Sequence, residues 1–74
     1  MDASLTGRFI CENRKRLGLS QKELADRLNI PDKAISKWER GLSLPDISML
    51  IPISALLDVS LYDLLTGGEA NEQE

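Results

Sequence analysis

Asp32, Lys33, Ser36, Lys37 and Arg40 are spaced to share one side of a helix, if the segment carrying them is helical. Together they offer an acceptor, a hydroxyl and three cations. Groups of this kind can recognise a partner by charge and hydrogen bonding. Lys33 and Lys37 stand at i,i+4, where like charges destabilise a free helix by roughly 0.2–0.5 kcal/mol. The pair is better placed opposite an anion, although taken alone it also fits a solvated surface. Catalysis has little to work with elsewhere. The chain has no histidine, and its single cysteine, Cys11, has no partner to activate it. Neither a Gly-rich phosphate loop nor metal-ligand spacing is present. The expectation is a binding protein without enzyme activity, cofactor or metal.

Charge is segregated along the chain. All nine Lys and Arg residues lie between Arg8 and Arg40. Residues 1–45 carry a net +3 and residues 46–74 a net −6, so the overall −3 conceals a basic N-terminal half. Such asymmetry suggests one face for a polyanion and another for a different partner.

The elements that must position these groups all read as helices, with no alternating apolar–polar strand. A first helix is expected over about Ser4–Leu17, stopped by Gly18. Leu19 then sits where it can pack back on the helix end. In "LSQKEL", Ser20 and Glu23 form a capping box, and Leu19 and Leu24 a hydrophobic staple. A second helix therefore spans Gln21–Leu28 and ends near Asn29. Pro31 and Asp32 suit the start of a third helix, about 32–39, which Gly41 ends. A fourth runs roughly from Asp46 to Leu57, where Pro52 either kinks it or marks where its regular part begins. Ser60 caps a short fifth helix, Leu61 to Leu65. The expected core takes Ile10, Leu17, Leu24, Ala25 and Leu28 from the first two helices. Ile35, Trp38, Leu50, Leu57 and Leu64 supply the rest, with Ile53 and Leu56 facing the same way.

Seventy-four residues make one domain. Its expected extent is 4–66, with 67–74 a flexible acidic tail or linker. No apolar run is long enough to span a membrane, no secretory leader is evident and no disulfide is available, so the default location is the cytoplasm.

The two short central helices and their three-residue turn have helix-turn-helix spacing. The stretch Arg14–Asp46, "RKRLGLSQKELADRLNIPDKAISKWERGLSLPD", resembles the Xre/Cro-type helix-turn-helix family, which includes the lambdoid phage repressors. The resemblance continues through "LLDVSLYDLLTG", Leu56 to Gly67. It is carried by Arg14, Gly18, "LSQ", Leu24–Ala25, "ISKWERG" and Pro45. It implies an all-α, five-helix lambda-repressor-like domain whose third helix lies in the major groove of double-stranded DNA. It also implies a homodimer on a pseudo-palindromic operator, with the monomer in isolation left open, and a transcriptional regulator with repression favoured. Matching positions in the family form a structural salt bridge, here Arg14 with Glu39.

In that register Asp32, Lys33, Ser36 and Lys37 meet base edges. Lys donates to guanine O6 and N7, Asp accepts from cytosine N4, and Ser serves either way. Ser20 and Gln21, at the start of the second helix, are placed to hold a phosphate, with Lys15, Arg16, Lys22 and Arg40 as further backbone contacts. Two other readings stand beside this one. The chain could be a protein-interaction module that kept the fold and uses its acidic half or the Leu42–Leu44 loop, which can also pack on a second subunit. A third and less favoured reading is the antitoxin of a toxin–antitoxin pair, which binds both DNA and protein.

Overall fold

The computed structural model describes residues 1–68. It contains five helices and, among the described residues, no strand: α1 Ala3–Arg16, α2 Gln21–Leu28, α3 Asp32–Glu39, α4 Ile47–Leu57 and α5 Leu61–Thr66. Helix α1 begins one residue before the expected start because Asp2 caps it, accepting from the Leu5 N–H at 2.9 Å. At α2 the capping box is complete. Ser20 Oγ accepts from the Glu23 N–H at 3.0 Å, and Glu23 Oε1 accepts from the Ser20 N–H at 2.8 Å. Pro31 sits at the N-cap of α3, with no side-chain hydrogen bond to the helix.

Each helix stops by the same local device. After α1, the Gly18 N–H donates to Lys15 O at 2.9 Å and the Leu19 N–H to Arg14 O at 3.1 Å, the paired bonds of a Schellman motif. Equivalent pairs close α2 through Asn29 and Ile30, α3 through Gly41 and Leu42, α4 through Asp58 and Val59, and α5 through Gly67 and Gly68. Asn29 and Asp58 adopt φ of 62° and 57°, the left-handed conformation that short polar side chains tolerate best after glycine. Gly67 and Gly68 thus complete the end of α5; residues 69–74 of the expected tail lie outside the described residues.

Helix α4 runs through Pro52. The missing N–H deprives the Ser48 carbonyl of its usual intrahelical partner. Ile10, Leu24, Ile35, Ile53, Leu57 and Leu64 are fully buried between the helices, joined by Ala25, Leu28, Trp38 and Leu50. Leu17 corrects the expected core: it is 39% exposed. It caps α1 as the chain turns away at Gly18, so its helical spacing from Ile10 and Arg14 no longer leads inward. Leu19, beyond the turn, is buried instead.

Two residues without an expected role set the layering. Thr6 is fully buried, and its hydroxyl donates to the Leu64 carbonyl at 3.2 Å, tying α1 to α5. At Gly7 a Cβ would lie 1.9 Å from the Trp38 carbonyl oxygen, so α1 and α3 meet backbone to backbone there. Gly7→Ala must separate these helices. It should cost about 3 kcal/mol, the upper end of ordinary overpacking, in urea unfolding.

Candidate nucleic-acid interface

Helix α3 is seated by Ile35, Trp38 and the half-buried Ala34, spaced along one side. The opposite side exposes Asp32, Lys33, Lys37 and Arg40, with Ser36 half-buried between them. All four expected base-reading residues therefore share one outward face. The N-terminus of α2 lies against the end of α3, as Gln21 Nε2 donates to Glu39 Oε1 at 2.9 Å.

That bond belongs to a network fixing α3 to the scaffold. Arg14 Nε donates to Glu39 Oε2 at 2.6 Å and Arg14 Nη2 to Oε1 at 2.9 Å, a bidentate pair whose side chains are 9% and 5% exposed. Arg14 Nη1 donates to the Leu19 carbonyl at 2.7 Å, and Nη2 also approaches Cys11 Sγ at 3.7 Å. The structural pairing of Arg14 with Glu39 is present, and among the described residues no buried side-chain polar atom lacks a partner.

Burial alone would push the Glu39 carboxyl up. Hydrogen bonds from Arg14, then Gln21, and the charge of Arg14 outweigh burial and hold the carboxyl below the usual glutamate range. The same bond to Glu39 raises the Arg14 guanidinium further, against an opposing effect of burial. Hydrogen bonds from Ser20 hold the Glu23 carboxyl below its ordinary value, so the α2 cap stays charged.

The expected backbone contacts divide by what their side chains already hold. Lys15 and Arg40 are exposed. Lys22 lies 3.6 Å from Asp26 in an open i,i+4 pair, which binds weakly and can yield. Gln21 spends one amide hydrogen on Glu39, leaving its other hydrogen and its carbonyl oxygen. Arg16 is bound away from α3: it donates to Asn13 Oδ1 at 3.1 Å and to the Leu57 carbonyl at 2.9 Å, at the end of α4. No basic group lies in residues 46–68. Among the described residues no group of three His, Cys, Asp or Glu is placed to hold a metal, and no helix is long and apolar enough to cross a membrane.

Sequence reasoning placed the face of α3 but missed Gly7 and the Gln21–Glu39 bond. A glycine inside an otherwise helical pattern was the available signal for the first. For the second, Gln21 gives no signal before the helices are docked.

The helix-turn-helix family model matches residues 12–64, and this chain belongs to that family. It is similar to the regulator YqaE of Bacillus subtilis, 47% identical over 60 residues, which cover 81% of this chain and 51% of YqaE. It therefore spans about half the length of that relative. It also resembles the transcriptional activator BcrR of Enterococcus faecalis, 41% identical over 51 residues, covering 69% of this chain and 25% of BcrR. The crystal structure of SinR, the master regulator for biofilm formation, in complex with DNA superposes with a TM-score of 0.74 at 39% identity. That match covers 81% of this chain and 97% of the SinR chain. The expected five-helix, lambda-repressor-like fold is the observed one.

The Glu39 carboxyl gives a pH signature. Its folded pKa lies below the unfolded value, so its contribution is fully present above about pH 4.3, the ordinary glutamate value, and is lost as pH falls through the folded value. Glu39→Gln should cost about 3–5 kcal/mol at pH 7, because it leaves the buried Arg14 without its counter-charge. The gap to the unsubstituted protein should narrow as urea titrations are repeated at falling pH.

Proposed function

We propose that this chain binds double-stranded DNA sequence-specifically as the DNA-binding domain of a transcriptional regulator. One observation carries the reading. The charges α3 turns outward are basic except for Asp32, while its other carboxylate, Glu39, is drawn inward and neutralised by Arg14. The similarity to a SinR structure solved with DNA supports it. Helix α3 lies in the major groove. Lys33 and Lys37 donate to guanine edges, Ser36 adds a short-range contact, and Asp32 accepts from a cytosine amino group.

The α2 N-terminus, with Ser20, Gln21 and Lys22, anchors the phosphate backbone, helped by Lys15 and Arg40. Arg16, already bound to the end of α4, serves the scaffold. The domain acts as a homodimer on a pseudo-palindromic operator, in the cytoplasm, without catalysis, and its effect is repression.

Selection of genomic DNA fragments with this domain tests the reading and yields the operator. On that operator Lys37→Ala should weaken binding by about 1–3 kcal/mol with the fold intact, measured by titration at fixed salt. Unchanged affinity would remove Lys37 from the readers, and no fragment bound above background at low salt would sink the reading.

A further inference from the structure

The helix-turn-helix, residues 21–39, holds four carboxylates: Glu23, Asp26, Asp32 and Glu39. Three are committed within the chain. Glu23 closes the α2 capping box, Asp26 lies 3.6 Å from Lys22, and Glu39 is held by Arg14 and Gln21. Asp32 is the exception. It is exposed as the first residue of α3, and among the described residues its carboxylate makes no hydrogen bond and no ion pair. Its own turn of helix offers no counter-charge. Lys33 is its neighbour in sequence, which on a helix does not face it, and the positions three and four residues on hold Ile35 and Ser36 rather than a cation.

In the proposed complex α3 enters the major groove, where the first residues of a recognition helix meet base edges. A duplex is lined with phosphate, and a carboxylate accepts hydrogen bonds but donates none. Against an arbitrary sequence Asp32 therefore meets repulsion with nothing returned. Against a cytosine amino group it gains a charge-assisted hydrogen bond. The other outward charges of α3 act in the opposite sense. Lys33, Lys37 and Arg40 are attracted to a polyanion whatever its sequence. Asp32 subtracts part of that attraction at every site and returns it at one kind of site. A carboxylate that only stabilised the positive end of α3 would behave differently, since its removal would weaken binding to all DNA.

We infer that Asp32 is a specificity-determining residue that works by exclusion: its unpaired carboxylate weakens the binding of α3 to DNA in general and is compensated only where a cytosine amino group faces it. Discrimination is a difference between two affinities, so a group that penalises the wrong sites raises specificity as a contact that rewards the right one does. The inference deepens the DNA-binding reading and rests on it.

The test compares two duplexes of equal length, the operator from genomic selection and a scrambled sequence, titrated at fixed low salt. Asp32→Asn keeps the side-chain shape and removes the charge. It should bind the scrambled duplex about fivefold tighter, the scale of one charge–charge repulsion at contact in water, and the operator about tenfold more weakly. At the operator base pair that Asp32 reads, located by single-base changes, preference should pass from cytosine to adenine, which an amide reads through N6 and N7. Asp32→Glu keeps the charge and should leave binding to the scrambled duplex unchanged. Circular dichroism checks that both variants fold. Weaker binding of Asp32→Asn to both duplexes, the result for a carboxylate that only stabilises the helix, would overturn the inference, and so would unchanged binding to the scrambled one. If the unsubstituted domain selects no operator, the DNA reading falls and this inference with it. If it selects one, either adverse result counts against Asp32 alone.

Discussion

The bidentate pair of Arg14 and Glu39 is the constraint on which the candidate interface depends. Arg14 comes from α1 and Glu39 from the last turn of α3, and Gln21 joins them from the first turn of α2. Three helices are fixed to one carboxylate. Buried pairs of this kind add little net stability over a well-packed apolar substitute, but losing one partner costs several kcal/mol. Their use here is orientation. Glu39 has its lone pairs committed on the inner side, so α3 cannot roll about its axis without breaking three charge-assisted bonds. Gly7 adds a distance limit to that angular one, holding the α1 backbone against Trp38.

Much of this arrangement was legible in the sequence because its signals are local. The capping box of Ser20 and Glu23, the glycine after α1 and the asparagine after α2 specify helix ends with residues a few positions apart, and all appear where they were expected. The apolar spacing of Leu24, Ala25, Leu28, Ile35 and Trp38 led to the right faces for the same reason. Leu17 shows where that reasoning stops. Its spacing from Ile10 and Arg14 was correct, but the helix ended before it could reach the core.

The features that were not legible depend on docking. Gly7 reads as a mild cost to helix stability until α3 is laid over it. The hydroxyl of Thr6 reads as a surface group until α5 returns to meet it. Gln21 and Arg16 were both expected as contacts to a DNA backbone, and each holds a distant part of the chain. The outward face of α3 was recoverable because it is defined by what the helix does not bury.

The bond from Thr6 to Leu64 joins residues 58 positions apart, while every helix ends with a motif formed from its own neighbours. The ends of each helix are therefore specified locally, but helices this short hold together only once they pack. The entropy of closing a loop rises only with the logarithm of its length, so bringing α5 back to α1 adds little to the barrier. Chains dominated by local contacts fold within microseconds to milliseconds. In a domain built this way, the chain's own neighbours set where each helix stops, while contacts between distant segments decide whether any of the five persists.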